Sequence, residues 1–427
     1  MITLTFWLLA ALIVLLLVRI PIALAMTLAS MVFLYLMAQA PMIIVPQRLW
    51  GGLESFPLLA IPFFVLAGSL MSRSGGAERI FTFCLSVLGH IRGGLGHVNV
   101  LASMIFAGMS GAATADAAGL GAIEIEAMSK DGYKLDFSAA VTAASSTIGP
   151  IIPPSVPLVV YGVMAQVSVG QLFLGGFLPG ILMGLTMMGV VAIKARKENY
   201  PTHPRASFQA VRREFFSSSL SLLAPVIILG GIFSGVFTPT EAGVVASVYA
   251  LILGFVYGTI KIKELPAILE EAMLTTAQIT FIVGAAGLFG WAITRAQIPA
   301  DISSFLTALT NDKNVILLLV NLVMIFMGCF IDALALLIMM TPVVVPLGMA
   351  YSIDPIQLGL ILVLNCMIGL ITPPVGLCLY IVSNTAKVPI LQVARALIPF
   401  YIALTICLIL IIFFPQIVTF LPNLIKL

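Results

Sequence analysis

Charge is the scarcest property of this sequence. Its 427 residues include 20 Lys or Arg and 17 Asp or Glu, 9% charged in all. A soluble domain carries about 25% charged residues, so a soluble globular chain is excluded. Histidine is nearly absent: His90, His97 and His203 form no HExxH pair. The five cysteines (Cys84, Cys329, Cys366, Cys378, Cys407) are scattered through apolar stretches. Their spacing fits neither a metal site nor a disulfide framework, so they read as small core hydrophobes. There is no GxxxxGK[ST] loop, which argues against an ATP-driven pump. No nucleophile–base pair or metal motif stands out, which argues against an enzyme. The net charge of +3 gives no sign of a nucleic-acid partner.

What is abundant is apolar. Hydrophobic residues make up 61% of the chain and the mean hydropathy is +1.18. At ~20 residues per span, this length holds roughly ten membrane helices with short loops. The first apolar run, 2–18, has no basic residue before it and Arg19 after it. A secretory signal has the opposite order, so the run reads as a retained first helix with its N-terminus outside.

One short sequence occurs twice: Ile148-Gly149-Pro150-Ile151-Ile152-Pro153-Pro154 and Ile368-Gly369-Leu370-Ile371-Thr372-Pro373-Pro374. Paired prolines cannot continue a helix. Inside a bilayer such a break is tolerated only where the freed backbone is buried in protein or lines a wet cavity. Other pairs fall at nearly the same offset: Phe106-Ala107-Gly108 with Phe326-Met327-Gly328, Pro46 with Pro266, and Ala29-Ser30 with Ala246-Ser247. These marks predict an all-α polytopic membrane protein built from two repeats. The first covers 1–193 and the second 218–427, with a basic linker at 194–217. Each repeat is expected to hold about five transmembrane helices and one re-entrant hairpin. The hairpins fall at 98–128 and 315–350, and the broken helices at 137–167 and 356–385.

A hairpin enters and leaves on one side, so each repeat crosses an odd number of times and the second runs inverted. On that arrangement Arg48, Arg295, Lys313 and Lys426 face outward, and the other 16 of the 20 basic residues face inward. The positive-inside rule requires such a split. The linker is then cytoplasmic, with Phe208, Val211 and Phe215 spaced for an interfacial helix, and both termini are periplasmic. The stretches 46–55 and 261–272 are too short and polar to span. They read as helices lying on opposite membrane surfaces, or as ordinary loops.

Hairpin tips and helix breaks leave carbonyls free for a hard cation such as Na⁺, while their helix N-termini offer N–H groups to an anion. Two such sites would flank one anion site at the pseudo-two-fold axis. The first cation site is expected at Ser110, Gly111, Ser145, Ser146, Gly149 and Pro150. The second is expected at Asp332, Ala333, Gly369, Thr372 and Pro373. Asp332 is the one ionisable group in its apolar segment, and an intramembrane acid is a functional candidate by default. Thr114, Pro153, Pro154 and Pro374, at the same breaks, are the candidate solute contacts. Blander readings stand beside these. Asp332 would be a carboxylate in a wet crevice without an ion. Ser145, Ser146 and Thr147 would bond back to helix carbonyls. Asp116 would cap the hairpin's second arm. Glu124 and Glu126, towards the hairpin base, are expected to be solvated.

Four stretches in order carry a resemblance that runs along nearly the whole chain. They are SSTIGPIIPPS at 145–155, Phe237-Thr238-Pro239-Thr240-Glu241-Ala242, Gly328-Cys329-Phe330-Ile331-Asp332 leading to Thr341-Pro342, and Ile368 to Gly376. The chain resembles the large membrane subunit of tripartite ATP-independent periplasmic (TRAP) transporters of the ion-transporter superfamily. The resemblance implies a secondary transporter of the bacterial inner membrane, driven by about two Na⁺ ions, with no organic cofactor. It implies import of a carboxylate-bearing solute of the sialic acid or C4-dicarboxylate class. It implies two partners: a small four-helix membrane subunit, and a soluble periplasmic substrate-binding protein that delivers the solute. It also implies an elevator, in which hairpins and broken helices move against a scaffold of outer helices. The rival is a stand-alone Na⁺/dicarboxylate symporter that needs no binding protein.

Overall fold

The computed structural model describes residues 2–37 and 41–425. Lys426, expected on the outer side, lies outside the described residues. Every regular element among those described is helical. Six helices are long and apolar enough to cross a membrane, or eight if each of two sharply bent pairs counts as one span. Their outer faces carry apolar side chains such as Ile193, Phe208 and Met273, as a lipid-facing surface requires.

The Gly-Pro-Pro stretches do break their helices. The first pair is Leu135–Ser146 and Val156–Ala165, the second Pro355–Leu370 and Leu377–Ala386. Pro153-Pro154 and Pro373-Pro374 are both cis. The stretch expected to form the first hairpin consists of Gly94–Ser110, a two-residue tip at Gly111 and Ala112, and a second arm in two pieces, Ala113–Ala118 and Leu120–Lys130. At 17 residues, the first arm is about 26 Å long at 1.5 Å per residue, short of a ~30 Å hydrocarbon core. The second hairpin stretch is Lys313–Gly328 and Ala333–Ala350.

Helix starts in the second half are fixed by aspartates. Asp312, Asp332 and Asp354 each accept from backbone N–H groups at the head of the helix that follows. The Phe237 to Ala242 motif has a structural explanation. Thr238 caps Pro239–Val256, Pro239 occupies the first turn, and Glu241 returns a bond to the Thr238 N–H, completing a capping box.

The packing around the breaks is reciprocal. The first arm of each hairpin packs on the first half of its own broken helix: Gly94–Ser110 on Leu135–Ser146, and Lys313–Gly328 on Pro355–Leu370. The second arm of each hairpin packs on the second half of the other broken helix: Ala333–Ala350 on Val156–Ala165, and Ala113–Ala118 on Leu377–Ala386. Tyr161 joins the two broken helices to each other. Its hydroxyl donates to the Pro355 carbonyl at 2.8 Å, and its ring lies where Gly359 has no Cβ.

Two expected elements take other forms. Only the first surface stretch is a separate short helix, Ile44–Gly51. Residues 261–272 instead open a continuous run through Ile262–Glu264 into Leu265–Arg295, a 31-residue helix. Such a helix is about 46 Å long, longer than a ~30 Å hydrocarbon core, and its polar beginning is not a separate element. The basic stretch is not a separate element either. Lys194, Arg196 and Lys197 end the helix Val169–Glu198, and the next helix, Phe208–Phe233, runs unbroken into a candidate span. Only 199–207 is loop.

Candidate transport site

The hairpin tips close onto the breaks. Gly111 has φ +63°, and a Cβ there would sit 2.5 Å from the Pro154 carbonyl oxygen. Gly149 faces the backbone of Ala112. In the second half, a Cβ on Gly369 would lie 2.9 Å from the Gly328 oxygen. There, Val375 N–H donates to the Cys329 carbonyl at 3.1 Å. Each glycine allows tip and break to approach backbone to backbone.

A cavity of about 350 Å³ lies between the two halves. Ser110, Gly111, Thr114 and Pro150 line it from the first half, and Asp332 and Ala333 from the second. Val65, Gly68 and Ser69 of Ala60–Arg73, with Glu271, Thr275 and Ile279 of Leu265–Arg295, form a further wall. Gly68 lets the tip come close, since a Cβ there would be 2.9 Å from the Ser110 oxygen. Glu271 is also paired with Arg73 at 2.6 Å. This wall was not anticipated from sequence, because nothing in its apolar pattern marks which face a cavity takes.

The hydroxyl of Ser110 is buried without a hydrogen-bond partner among the described residues. Asp332 is exposed, and its Oδ1 accepts from Leu334 and Ala335 N–H at 3.0 and 3.3 Å. Of the other expected ligands, Gly111, Pro150 and Ala333 line the cavity, and Ser145, Ser146, Gly149, Gly369, Thr372 and Pro373 lie outside its lining. Ser145, Ser146 and Gly149 are fully buried behind the tip. Ser146 and Thr147 bond back to the Ala143 and Ala144 carbonyls at 2.9 and 2.6 Å. Such a hydroxyl spends its proton and keeps lone pairs. The Pro150 carbonyl accepts from the Ser155 hydroxyl, and Ser155 also caps Val156–Ala165. Thr372 bonds back to the Ile368 carbonyl at 2.6 Å. Gly369 and Pro373 are at the second break. Pro153 and Pro154 are buried, and Pro374 is exposed; none of these three lines the cavity.

Two carboxylates depart from expectation. Asp116 does not cap the second arm; it lies within Ala113–Ala118, facing Ser103 without completing a hydrogen bond. Glu124 is not solvated but 1% exposed, because Leu135–Ser146, Gly94–Ser110, Leu377–Ala386 and Gly76–Leu88 all pack on its arm. Glu126 is exposed and paired with Lys130 at 2.6 Å.

Sequence reasoning also missed a polar set behind the tips. Ser145 Oγ donates to Asn99 Oδ1 at 2.7 Å, Asn99 Nδ2 donates to Thr142 Oγ1 at 2.7 Å, and Ser103 Oγ donates to Ser145 Oγ at 3.1 Å. In the second half Asn365 Nδ2 donates to Asn321 Oδ1, and Asn321 Nδ2 to the Leu317 carbonyl at 2.6 Å. In both halves a first-arm asparagine holds a polar residue of the broken helix. A lone Asn in an apolar arm was the available signal.

Known proteins resemble the chain over most of its length. The family model for the DctM component of tripartite ATP-independent periplasmic transporters matches residues 9–417. The chain is 45% identical over 409 residues to the sialic acid TRAP transporter large permease protein SiaM of Vibrio cholerae, covering 95% of each. It is 41% identical over 377 residues to the C4-dicarboxylate TRAP transporter large permease protein DctM of Pseudomonas aeruginosa, covering 88% of each. Among solved structures it is similar in fold to the YdaH transporter of Alcanivorax borkumensis. The TM-score there is 0.61 and the identity 18%, covering 86% of this chain and 87% of that one.

Proposed function

Since the chain belongs to the DctM family, the large permease subunits of tripartite ATP-independent periplasmic transporters, we propose that it imports a carboxylate-bearing solute by Na⁺-coupled transport. It is a multi-pass membrane protein of the inner membrane and a transporter subunit, not an enzyme. The solute class we assign is sialic acid or a C4-dicarboxylate, the substrates named for its relatives. A periplasmic binding protein delivers it, and a small membrane subunit completes the permease.

One observation carries this reading most directly. The cavity between the halves is walled by both hairpin tips, with the unpartnered Ser110 hydroxyl on one side and Asp332 on the other. Oxygen atoms of this kind suit Na⁺, and helix N-termini at the same breaks suit a carboxylate. Thr114, on the first tip, is the candidate solute contact that lines the cavity. The reciprocal packing supports two inverted repeats, about 1–193 and 218–427, whose hairpins and broken helices move together as an elevator. In this reading Ala60–Arg73 and Leu265–Arg295 belong to the scaffold, the linker is cytoplasmic and both termini are periplasmic.

The test is uptake into proteoliposomes holding the chain with its small subunit, under an inward Na⁺ gradient, with sialic acid and succinate as first solutes. Uptake that requires both Na⁺ and the binding protein is the expected result. Uptake requiring Na⁺ alone would make the protein a stand-alone symporter. Uptake indifferent to Na⁺ would remove the coupling assignment.

A further inference from the structure

Glu124 is the one buried glutamate among the described residues. It sits on Leu120–Lys130, the second arm of the first hairpin, at 1% exposure. Neither carboxyl oxygen meets a hydrogen-bond partner, and no Lys, Arg or His forms an ion pair with it. Its titratable neighbours are all acidic or neutral. The thiol of Cys84 faces it from Gly76–Leu88, and Asp116, equally buried and unpartnered, lies along the same arm. Asp116 in turn faces Cys378 of Leu377–Ala386. Leu135–Ser146 presents Thr142 to Gly121, one turn before Glu124.

An ionised carboxylate taken out of water without a partner is among the costliest arrangements in a protein. Two of them on one arm, with no cation between, compound the cost. Glu124 is also near an exit. Exposed Lys130 at the hairpin base is six positions further on, about 9 Å along a helix. We propose that Glu124 is a proton-binding site, carrying a proton while its arm is packed against Gly76–Leu88 and exchanging it with water when that contact loosens. The ligand is H⁺, taken from the side of the hairpin base, and the carboxyl returns it to the same side. The proposal rests on burial and pairing inside the hairpin and not on the identity of the transported solute.

Infrared spectroscopy of the full chain in liposomes, in H₂O and in D₂O, decides it without a transport assay. A protonated carboxyl has a carbonyl stretch well separated from carboxylate bands and shifted by deuteration. The expected result at neutral pH is such a band in wild type and in Asp116→Asn, weakened in Glu124→Gln and lost when Glu124→Gln is added to Asp116→Asn. A band unchanged in Glu124→Gln would overturn the proposal. So would carboxylate bands in its place that move with added Na⁺ or K⁺, since they would make the bound cation a metal. If Glu124→Gln does not fold, glutamate-specific ¹³C labelling of the wild-type chain gives the same decision. The band must shift with labelled glutamate, and a band that stays fixed would sink the assignment.

Discussion

At the scale of single residues, Asp332 offers the cleanest separation of roles. Its carboxylate both caps Ala333–Ala350 and faces the cavity. Asn is as good a cap as Asp but carries no charge. Asp332→Asn is therefore expected to leave thermal stability within about 0.5 kcal/mol while raising the Na⁺ concentration for half-maximal uptake roughly tenfold, a loss of ~1.4 kcal/mol. Wild-type Na⁺ activation in that variant would remove Asp332 from the ion site. The glycines at the breaks divide by available space. Gly369→Ala must push against the Gly328 backbone at 2.9 Å, whereas the tightest neighbour of Gly149 is the Ser146 oxygen at 3.3 Å. Uptake by folded protein should be lost in Gly369→Ala and retained in part in Gly149→Ala; normal uptake in Gly369→Ala would refute the tight tip–break contact. Asp332 was legible because a lone acid in an apolar run has few explanations. Glu124 was misread because its arm is enclosed by several helices, two of them, Gly76–Leu88 and Leu377–Ala386, distant in sequence, and no local pattern reports those contacts.

At the scale of elements, the capping box on Pro239–Val256 makes a structural prediction. Thr238→Ala removes one partner of the box and should cost about 1 kcal/mol, visible as a lower melting temperature. Thr238→Ser should restore it. Uptake per folded molecule should be unchanged in both, and a selective loss of uptake would mean that the Phe237 to Ala242 motif does more than start a helix. The broken helices were legible because Gly and paired Pro act locally. The long helix Leu265–Arg295 was not, because the polar residues at its head resemble a surface helix and only geometry shows that the chain does not bend.

At the scale of the whole molecule, the proposed coupling to two Na⁺ ions would have a measurable electrical consequence. Two Na⁺ with a monoanion move one net charge, so a potential of ~150 mV contributes about 3.5 kcal/mol. An inside-negative potential imposed by a K⁺ gradient should raise steady accumulation of a monoanion several-hundred-fold and leave that of a dianion unchanged. Equal effects on both would refute two-ion coupling. The two motif copies, 220 positions apart, made the two matching helix breaks readable from sequence. The crossing of hairpin arms between the halves was not, since it joins residues far apart in the chain.

That crossing also bears on how the protein is made. Ala113–Ala118 leaves the ribosome more than half a chain length before Leu377–Ala386, the helix it packs on. Until then the first hairpin has no finished bed, and its second arm carries two acids through the interval. The first half is therefore expected to wait in the membrane in an open, hydrated form and to close only when synthesis is nearly complete. Late truncations should leave Asp116 reachable by water, and the same truncations should mark the chain for degradation.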